Sequence, residues 1–154
     1  MQTTQELLND ANRHFRSADH IAYVTYPLLQ DNKLIVAVLE NLNNTALRIM
    51  EAVLQQEETN QENFKGKYEI FKERAKRYQI EEAEVKIIQE LKSLSDQRKK
   101  SDMEFIRKDK YILWDPYKGK LKELTMQSMK DYIIKIKPLL RKINANLQNV
   151  RRTI

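Results

Sequence analysis

Apolar residues recur every three or four positions between Lys33 and Leu54. These alternating steps are typical of one face of an α-helix and do not fit the alternation of a β-strand. Further apolar residues beside this seam widen it to about half of the helix circumference, more than a simple surface helix needs. The pattern therefore predicts a helix that touches neighbours on several sides, at the centre of a bundle. The seam consists of Ile35, Leu39, Leu42, Ala46, Ile49 and Val53.

Other segments with the same helical repeat flank this central helix. The first helix is expected to end or kink at Pro27, because proline disfavours helical dihedrals in the residue before it. A third helix covers residues 64–78, and a fourth starts near Glu81 and ends before residues 95–100. Thr125 is expected to cap a long last helix, and Pro138 is expected to kink that helix.

The segment before the last helix has a different pattern. Ser101 and Glu104 have the spacing of a capping box, which predicts a short helix over residues 102–108. Residues 111–125 combine an apolar run with turn-forming residues and predict a small β-hairpin. The predicted fold is all-α: an up-and-down bundle of four long helices, with the short helix and the hairpin inserted before the last helix. We expect a single domain over residues 1–154.

Composition and motifs exclude several classes of function. The chain has no cysteine, so disulfides and cysteine-based metal sites are excluded. It shows neither a signal-peptide pattern nor an uninterrupted apolar run of about 18 residues, and we expect a cytoplasmic protein that does not bind membranes. Gly-rich phosphate-binding loops are missing, and His14 and His20 are not spaced as metal ligands on one helix face. We therefore expect no cofactor and no metal.

The charge is distributed unevenly along the chain. Residues 1–60 carry a net charge of −4 and residues 61–154 carry +10. Such asymmetry is typical of proteins with an anionic partner such as nucleic acid. The alternative interpretation is that the helices simply have lysine-rich surfaces exposed to solvent.

A basic segment with interleaved aromatic residues extends from Arg98 to Lys122. Cations follow a phosphate backbone and aromatic rings stack on unpaired bases, so the segment is a candidate RNA-binding surface. The alternative is that Tyr111 and Trp114 anchor the hairpin to the bundle while the lysines are solvated. The candidate nucleic-acid-binding residues are Lys99, Lys100, Arg107, Lys108, Lys110, Trp114, Tyr117, Lys118 and Lys120.

Arg13 and His20 are the candidate catalytic residues. They are seven positions apart, or two helical turns, and therefore share one face of the first helix. An imidazole with a pKa near neutrality can move a proton of an RNA 2′-hydroxyl while a guanidinium holds the phosphate. The alternative is that both are ordinary exposed side chains on the polar face of an amphipathic helix.

The pattern Arg13, six intervening residues, His20 resembles the Arg-x4–6-His motif of HEPN domains. This resemblance implies a small, often dimeric helical bundle in a superfamily that includes RNA-cleaving toxins and partners of minimal nucleotidyltransferases. The run from Ala18 to Leu42 is also similar to a family of small uncharacterised archaeal helical proteins, which implies a stable helical fold without a known activity.

The sequence leaves two functional hypotheses. The first is a non-enzymatic helical binding module that self-associates, with a homodimer or another protein as its partner. It is favoured by the missing catalytic motifs and the wide apolar seams, and Asn43 at the margin of the central seam is a candidate for fixing register or for pairing across a dimer. The alternative is a HEPN-like RNA-binding protein or ribonuclease.

Overall fold

The computed structural model describes residues 2–56, 61–101, 104–115 and 118–152. The protein is mostly helical (76%), with a small three-stranded antiparallel sheet before the last helix, so the expected helical fold with a small β-insertion is confirmed at this level. No helix in these ranges is both long and apolar enough to cross a membrane. The elements in chain order are α1 (Thr4–His20), a π turn (Ile21–Thr25), α2 (Tyr26–Leu29), α3 (Lys33–Gln55), α4 (Phe64–Arg74), a 3₁₀ turn (Ala75–Tyr78), α5 (Glu82–Lys100), β1 (Glu104–Arg107), β2 (Lys110–Asp115), β3 (Lys120–Thr125) and α6 (Met126–Arg152).

Helix α3 is the central element of the structure. All six residues of its predicted seam are completely buried. The helix packs against α1, α4, α5 and α6, so that its wide apolar surface is covered on several sides. The prediction that the other helices cover this one is therefore confirmed, and the hydrophobic effect of this burial is the main force that orders the bundle.

The first helical segment continues past Pro27 to Leu29, so of the two expected outcomes, an end or a kink, the end is wrong. Pro27 lacks an N–H group, and its ring would clash with the carbonyl of Tyr23 in a regular α-helix. The chain forms a π turn over Ile21–Thr25 and stays helical until Leu29. Gln30 then adopts a left-handed conformation with φ of 51°, which ends the helix.

Helix α5 extends to Lys100, so the prediction that it ends before residues 95–100 is wrong. Ser95 is completely buried, and its hydroxyl donates to the Glu40 carboxylate of α3 with both O···O distances at 3.1 Å. Lys92 and Asp96 add an ion pair of 2.6 Å one turn apart on the helix surface. This polar segment remains helical because its side chains find partners.

The short helix predicted over residues 102–108 is also wrong, because residues 104–107 form strand β1. The two residues of the expected capping box are used by the sheet instead. The Ser101 hydroxyl accepts from the Trp114 N–H at 3.1 Å and donates to the Trp114 carbonyl at 3.0 Å. The Glu104 carboxylate accepts from the hydroxyl of Tyr111. Asp102 and Met103 lie outside the described residues.

The sheet has the strand order β1-β2-β3 and confirms the predicted hairpin, with one additional strand. Arg107 pairs with Lys110 across a two-residue turn, in which Lys108 has φ of 56°. Tyr111 pairs with Leu124, and both side chains belong to the buried core, so this face of the sheet packs on the helices. The Lys108 carbonyl accepts from the Asn32 side chain, which ties the turn to the start of α3.

Helix α6 completes the bundle. Thr125 caps it as predicted: Thr125 and Ser128 each donate a backbone N–H to the other's hydroxyl, at 3.1 and 3.0 Å. The helix continues on both sides of Pro138, where the kink is expected. All residues of the predicted apolar seam are buried, namely Met129, Ile133, Ile136, Leu140, Ile143 and Leu147.

Candidate functional site

Arg13 and His20, the candidate catalytic pair, are both exposed on α1. Seven residues of α-helix separate their Cα atoms by about 10 Å along the axis. The Arg13 guanidinium forms an ion pair with Asp10, with Nη2 and Oδ1 3.2 Å apart. The His20 side chain has neither a hydrogen bond nor an ion pair with any described residue. The two side chains thus share a side of the helix, but they have different surroundings.

The partner of Arg13 belongs to a small charged network between α1 and α3. Asp10 also accepts a hydrogen bond of 2.8 Å from Gln2 and lies 3.9 Å from the Nε atom of Arg48. The Gln2 hydrogen bond, followed by the positive charges of Arg13 and Arg48, lowers the pKa of the Asp10 carboxyl. Arg13 therefore has a negatively charged protein partner at neutral pH, which competes with any phosphate.

His14 has a structural position between α1 and α3. The Asn41 amide nitrogen donates to the Ala37 carbonyl at 2.9 Å, so its oxygen faces His14. The His14 Nδ1 lies 3.1 Å from this oxygen and must carry the proton that it donates. This half-buried bridge gives His14 a structural role between the two helices.

The basic segment does not form one continuous surface. Arg107 and Lys108 lie at the β1–β2 turn, whereas Lys118 and Lys120 lie at the β2–β3 turn. The six residues of β2 separate these two ends of the sheet by about 17 Å. Lys110, at the first end, forms an ion pair of 3.1 Å with Glu123. The candidate nucleic-acid residues therefore fall into two groups.

One group converges with the end of α5. Lys99 and Lys100 are exposed in the last turn of α5, and the hydrogen bonds between Ser101 and Trp114 hold this turn beside β2. Two adjoining clefts of about 350 and 590 Å³ lie between α5 and the β2–β3 turn. Trp114 lines the smaller cleft, and Tyr117 lies outside the described residues. We call the combined space the lysine cleft, after its lining residues Lys100, Lys118, Lys120 and Lys122.

The acidic residues of the lysine cleft already have partners. Asp96 pairs with Lys92 at 2.6 Å, and Asp115 accepts from the Lys118 backbone N–H at 3.2 Å. Burial, and then the neighbouring Glu90 carboxylate, raise the pKa of Tyr132 at the far wall. None of the four lysines has an ion-pair partner among the described residues. With Lys92 included, five lysines stand against the three carboxylates Glu90, Asp96 and Asp115, so the cleft has a net charge of +2.

Two walls of this cleft were not expected from the sequence. Gln97 of α5 and Tyr132 of α6 line the larger cleft, and both lie outside the basic segment. Their positions depend on how the helices pack around the sheet. The apolar repeat of α6 carries no signal that Tyr132 faces the hairpin, so only the structure identifies it.

A second surface is apolar and was also missed. Tyr23 and Val24 in the π turn are each 46% exposed, and Leu28 and Leu29 in α2 are 79% and 66% exposed. The Lys130 ammonium of α6 lies 4.9 Å from the centroid of the Tyr23 ring, so α6 borders this surface. Ile134, one turn further along α6, is 62% exposed on the same side. We call these five apolar residues the apolar patch.

Comparison with protein-family models, curated proteins and solved structures gives no match to this chain. The resemblance to HEPN domains therefore stays a prediction. The lysine cleft and the apolar patch are therefore the two surfaces from which we infer a function.

Proposed function

We propose that the protein is a non-enzymatic helical binding module that self-associates through the apolar patch. The observation that carries this proposal is the exposure of four large apolar side chains within seven residues, at 46–79%. Single exposed apolar residues are ordinary on protein surfaces. A contiguous group instead marks an interaction site, since its burial against a partner removes apolar area from water.

The charges around the apolar patch favour a second copy of the chain as the partner. The exposed residues Arg16 and Asp19 precede the apolar patch in sequence, and the exposed residues Asp31 and Lys33 follow it. In a two-fold dimer, the same surface meets itself in reversed orientation. A rim with both signs of charge then allows acidic groups of one copy to face basic groups of the other.

Side-chain hydrogen bonds between three pairs of helices support an up-and-down bundle. Gln56 after α3 donates to Thr4 at the start of α1 at 2.9 Å, as expected for antiparallel neighbours. Ser95 near the end of α5 reaches Glu40 in the first half of α3. The side chains of Asn12 and Asn144 form a reciprocal amide pair between α1 and α6.

The oligomeric state tests this proposal. We expect light scattering after size-exclusion chromatography to give twice the mass of the chain for the wild type, and a monomer for Leu28→Ser/Leu29→Ser. The double variant should keep its helical circular dichroism spectrum, because both leucines are exposed. Leu121→Ser, at an exposed leucine of β3, is the matched control and should remain dimeric. A wild type that stays monomeric at high concentration would contradict the proposal.

The second candidate is a HEPN-like RNA-binding protein or ribonuclease. The lysine cleft favours RNA binding, and the shared exposure of Arg13 and His20 on α1 is what supports cleavage. In the ribonuclease, His20 would take the proton of a 2′-hydroxyl, whose oxygen attacks the phosphorus. The 5′-oxygen is displaced and leaves as a hydroxyl after taking a proton from water. A quenched fluorescent RNA should then be cleaved by the wild type and left intact by His20→Ala. Equal cleavage by both proteins would exclude His20.

A further inference from the structure

We propose that the lysine cleft binds a single strand of nucleic acid. The inference deepens the RNA-binding candidate and is independent of self-association. The proposal differs from a general affinity of the basic segment, because it assigns the site to one end of the sheet. It adds Gln97 and Tyr132 from outside that segment and leaves out Arg107 and Lys108.

The first argument is electrostatic. Four exposed lysines converge from α5, the β2–β3 turn and β3, and none of them has an ion-pair partner among the described residues. The three carboxylates of the cleft offset part of this charge: Asp96 pairs with Lys92, whereas Asp115 and Glu90 keep their negative charge beside the turn backbone and Tyr132. Binding a phosphate backbone therefore requires no existing ion pair of these lysines to break, and it releases condensed counterions.

The second argument is the shape of the site. The adjoining volumes of about 350 and 590 Å³ lie in the range of sites that enclose small ligands. Space of this size between a helix and a hairpin turn suits individual nucleotides of an unpaired strand.

The third argument is the presence of aromatic rings beside the cations. Trp114 lines the smaller cleft, and Ser101 fixes its backbone through both the N–H and the carbonyl. Tyr132 lines the larger cleft from α6. Unpaired bases stack on aromatic rings with little dependence on sequence. Ser93 and Gln97 line both clefts and offer polar groups to base edges.

The fold provides an internal control for the proposal. Arg107 and Lys108 belong to the same basic segment and are exposed, but they lie at the opposite end of β2. Replacing either pair by glutamine removes two positive charges. Lys118→Gln/Lys120→Gln and Arg107→Gln/Lys108→Gln therefore have equal net charge, so that any difference between them reports where the strand binds.

The experiment is fluorescence anisotropy with a labelled 12-nucleotide oligouridine, titrated at several salt concentrations. We expect Lys118→Gln/Lys120→Gln to bind about tenfold more weakly than the wild type, with a salt slope smaller by about 1.4, because two contacts to a single strand are lost. Arg107→Gln/Lys108→Gln should stay within about twofold of the wild type. Trp114→Leu should weaken binding without changing the salt slope, because stacking releases no counterions.

Several results would overturn the proposal: no binding by the wild type at low salt, equal losses in the two charge variants, or tighter binding of a 12-base-pair duplex than of the single strand. Oligothymidine of the same length identifies the strand type, since tighter binding of the RNA would indicate contacts with its 2′-hydroxyls.

The charge variants should keep the wild-type mass in light scattering, and Leu28→Ser/Leu29→Ser should still bind RNA. Failure of one proposal is thereby distinguished from failure of the other.

Discussion

The side chain of Asn43 is only 3% exposed, and its Oδ1 atom has no hydrogen-bond partner among the described residues. Its neighbour Asn41 has the same side chain and is well satisfied, by His14 and by the Ala37 carbonyl. An unpaired polar atom in the interior destabilises the folded state, because it loses its hydrogen bonds to water without replacing them. Asn43 is therefore a residue whose position the apolar core does not explain.

We expect Asn43→Leu to increase the free energy of unfolding by about 1–2 kcal/mol, because it removes the unpaired amide and adds buried apolar surface of similar volume. Urea denaturation followed by circular dichroism measures this change. Asn41→Leu is the matched control on the same helix and should lower the free energy of unfolding, because it leaves His14 without its acceptor. If Asn43→Leu instead destabilises the protein or changes its oligomeric state, Asn43 has the register or pairing role that its position beside the seam suggested.

At the scale of secondary structure, Ser101 joins the end of α5 to the middle of the sheet. The Ser101 hydroxyl accepts a hydrogen bond from the Trp114 N–H at 3.1 Å and donates one to the Trp114 carbonyl at 3.0 Å. The spacing from Ser101 to Glu104 fits a capping box and predicts the start of a helix at this residue. The two hydrogen bonds show that a strand thirteen positions away competes successfully for this side chain.

We expect Ser101→Ala to lower the free energy of unfolding by about 1–3 kcal/mol, because it removes two hydrogen bonds and leaves polar backbone groups of Trp114 half-buried. Denaturation by urea gives the value, and tryptophan fluorescence reports on the sole Trp114 directly. Ser93→Ala, at an exposed serine of the same helix, should change the stability by less than about 0.5 kcal/mol. Equal effects of the two substitutions would show that the Ser101 bonds contribute nothing.

The sequence predicted the helices better than the connections between them. Regular apolar steps are sufficient to locate α3 and α6, since a helix with such a face has to bury it. The end of α5 depends instead on Glu40, which lies 55 positions away from Ser95. A local pattern contains no information about such a partner, and the polar residues before Lys100 therefore resembled a loop.

For the molecule as a whole, the composition of the candidate surfaces was predictable but their geometry was not. The cations and Trp114 were identified from the charge and aromatic content of one segment. Their division into two groups follows from the length and direction of β2, which places Arg107 and Lys118 at opposite ends. The apolar patch was missed because the helical repeat does not tell which leucines remain uncovered after a π turn changes the phase of the helix.

The two proposed surfaces lie on different sides of α6. Tyr132 lines the lysine cleft, whereas Lys130 contacts Tyr23 of the apolar patch and Ile134 lies one turn further along. Two positions along an α-helix differ by about 200°, so Tyr132 and Ile134 point in nearly opposite directions. A dimer formed through the apolar patch would leave the lysine cleft of each copy open to a ligand.

The amide pair between Asn12 and Asn144 has a consequence for the kinetics of folding. It joins residues 132 positions apart, whereas the sheet is built from strands that follow one another directly along the chain. Short loops close quickly and long ones slowly, so hairpin pairing precedes the return of α6 to α1. The sheet alone has little stability until helices cover one of its faces. We therefore expect docking of α6 to be the late, slow step of folding, with the sheet moving into position together with the helix that follows it.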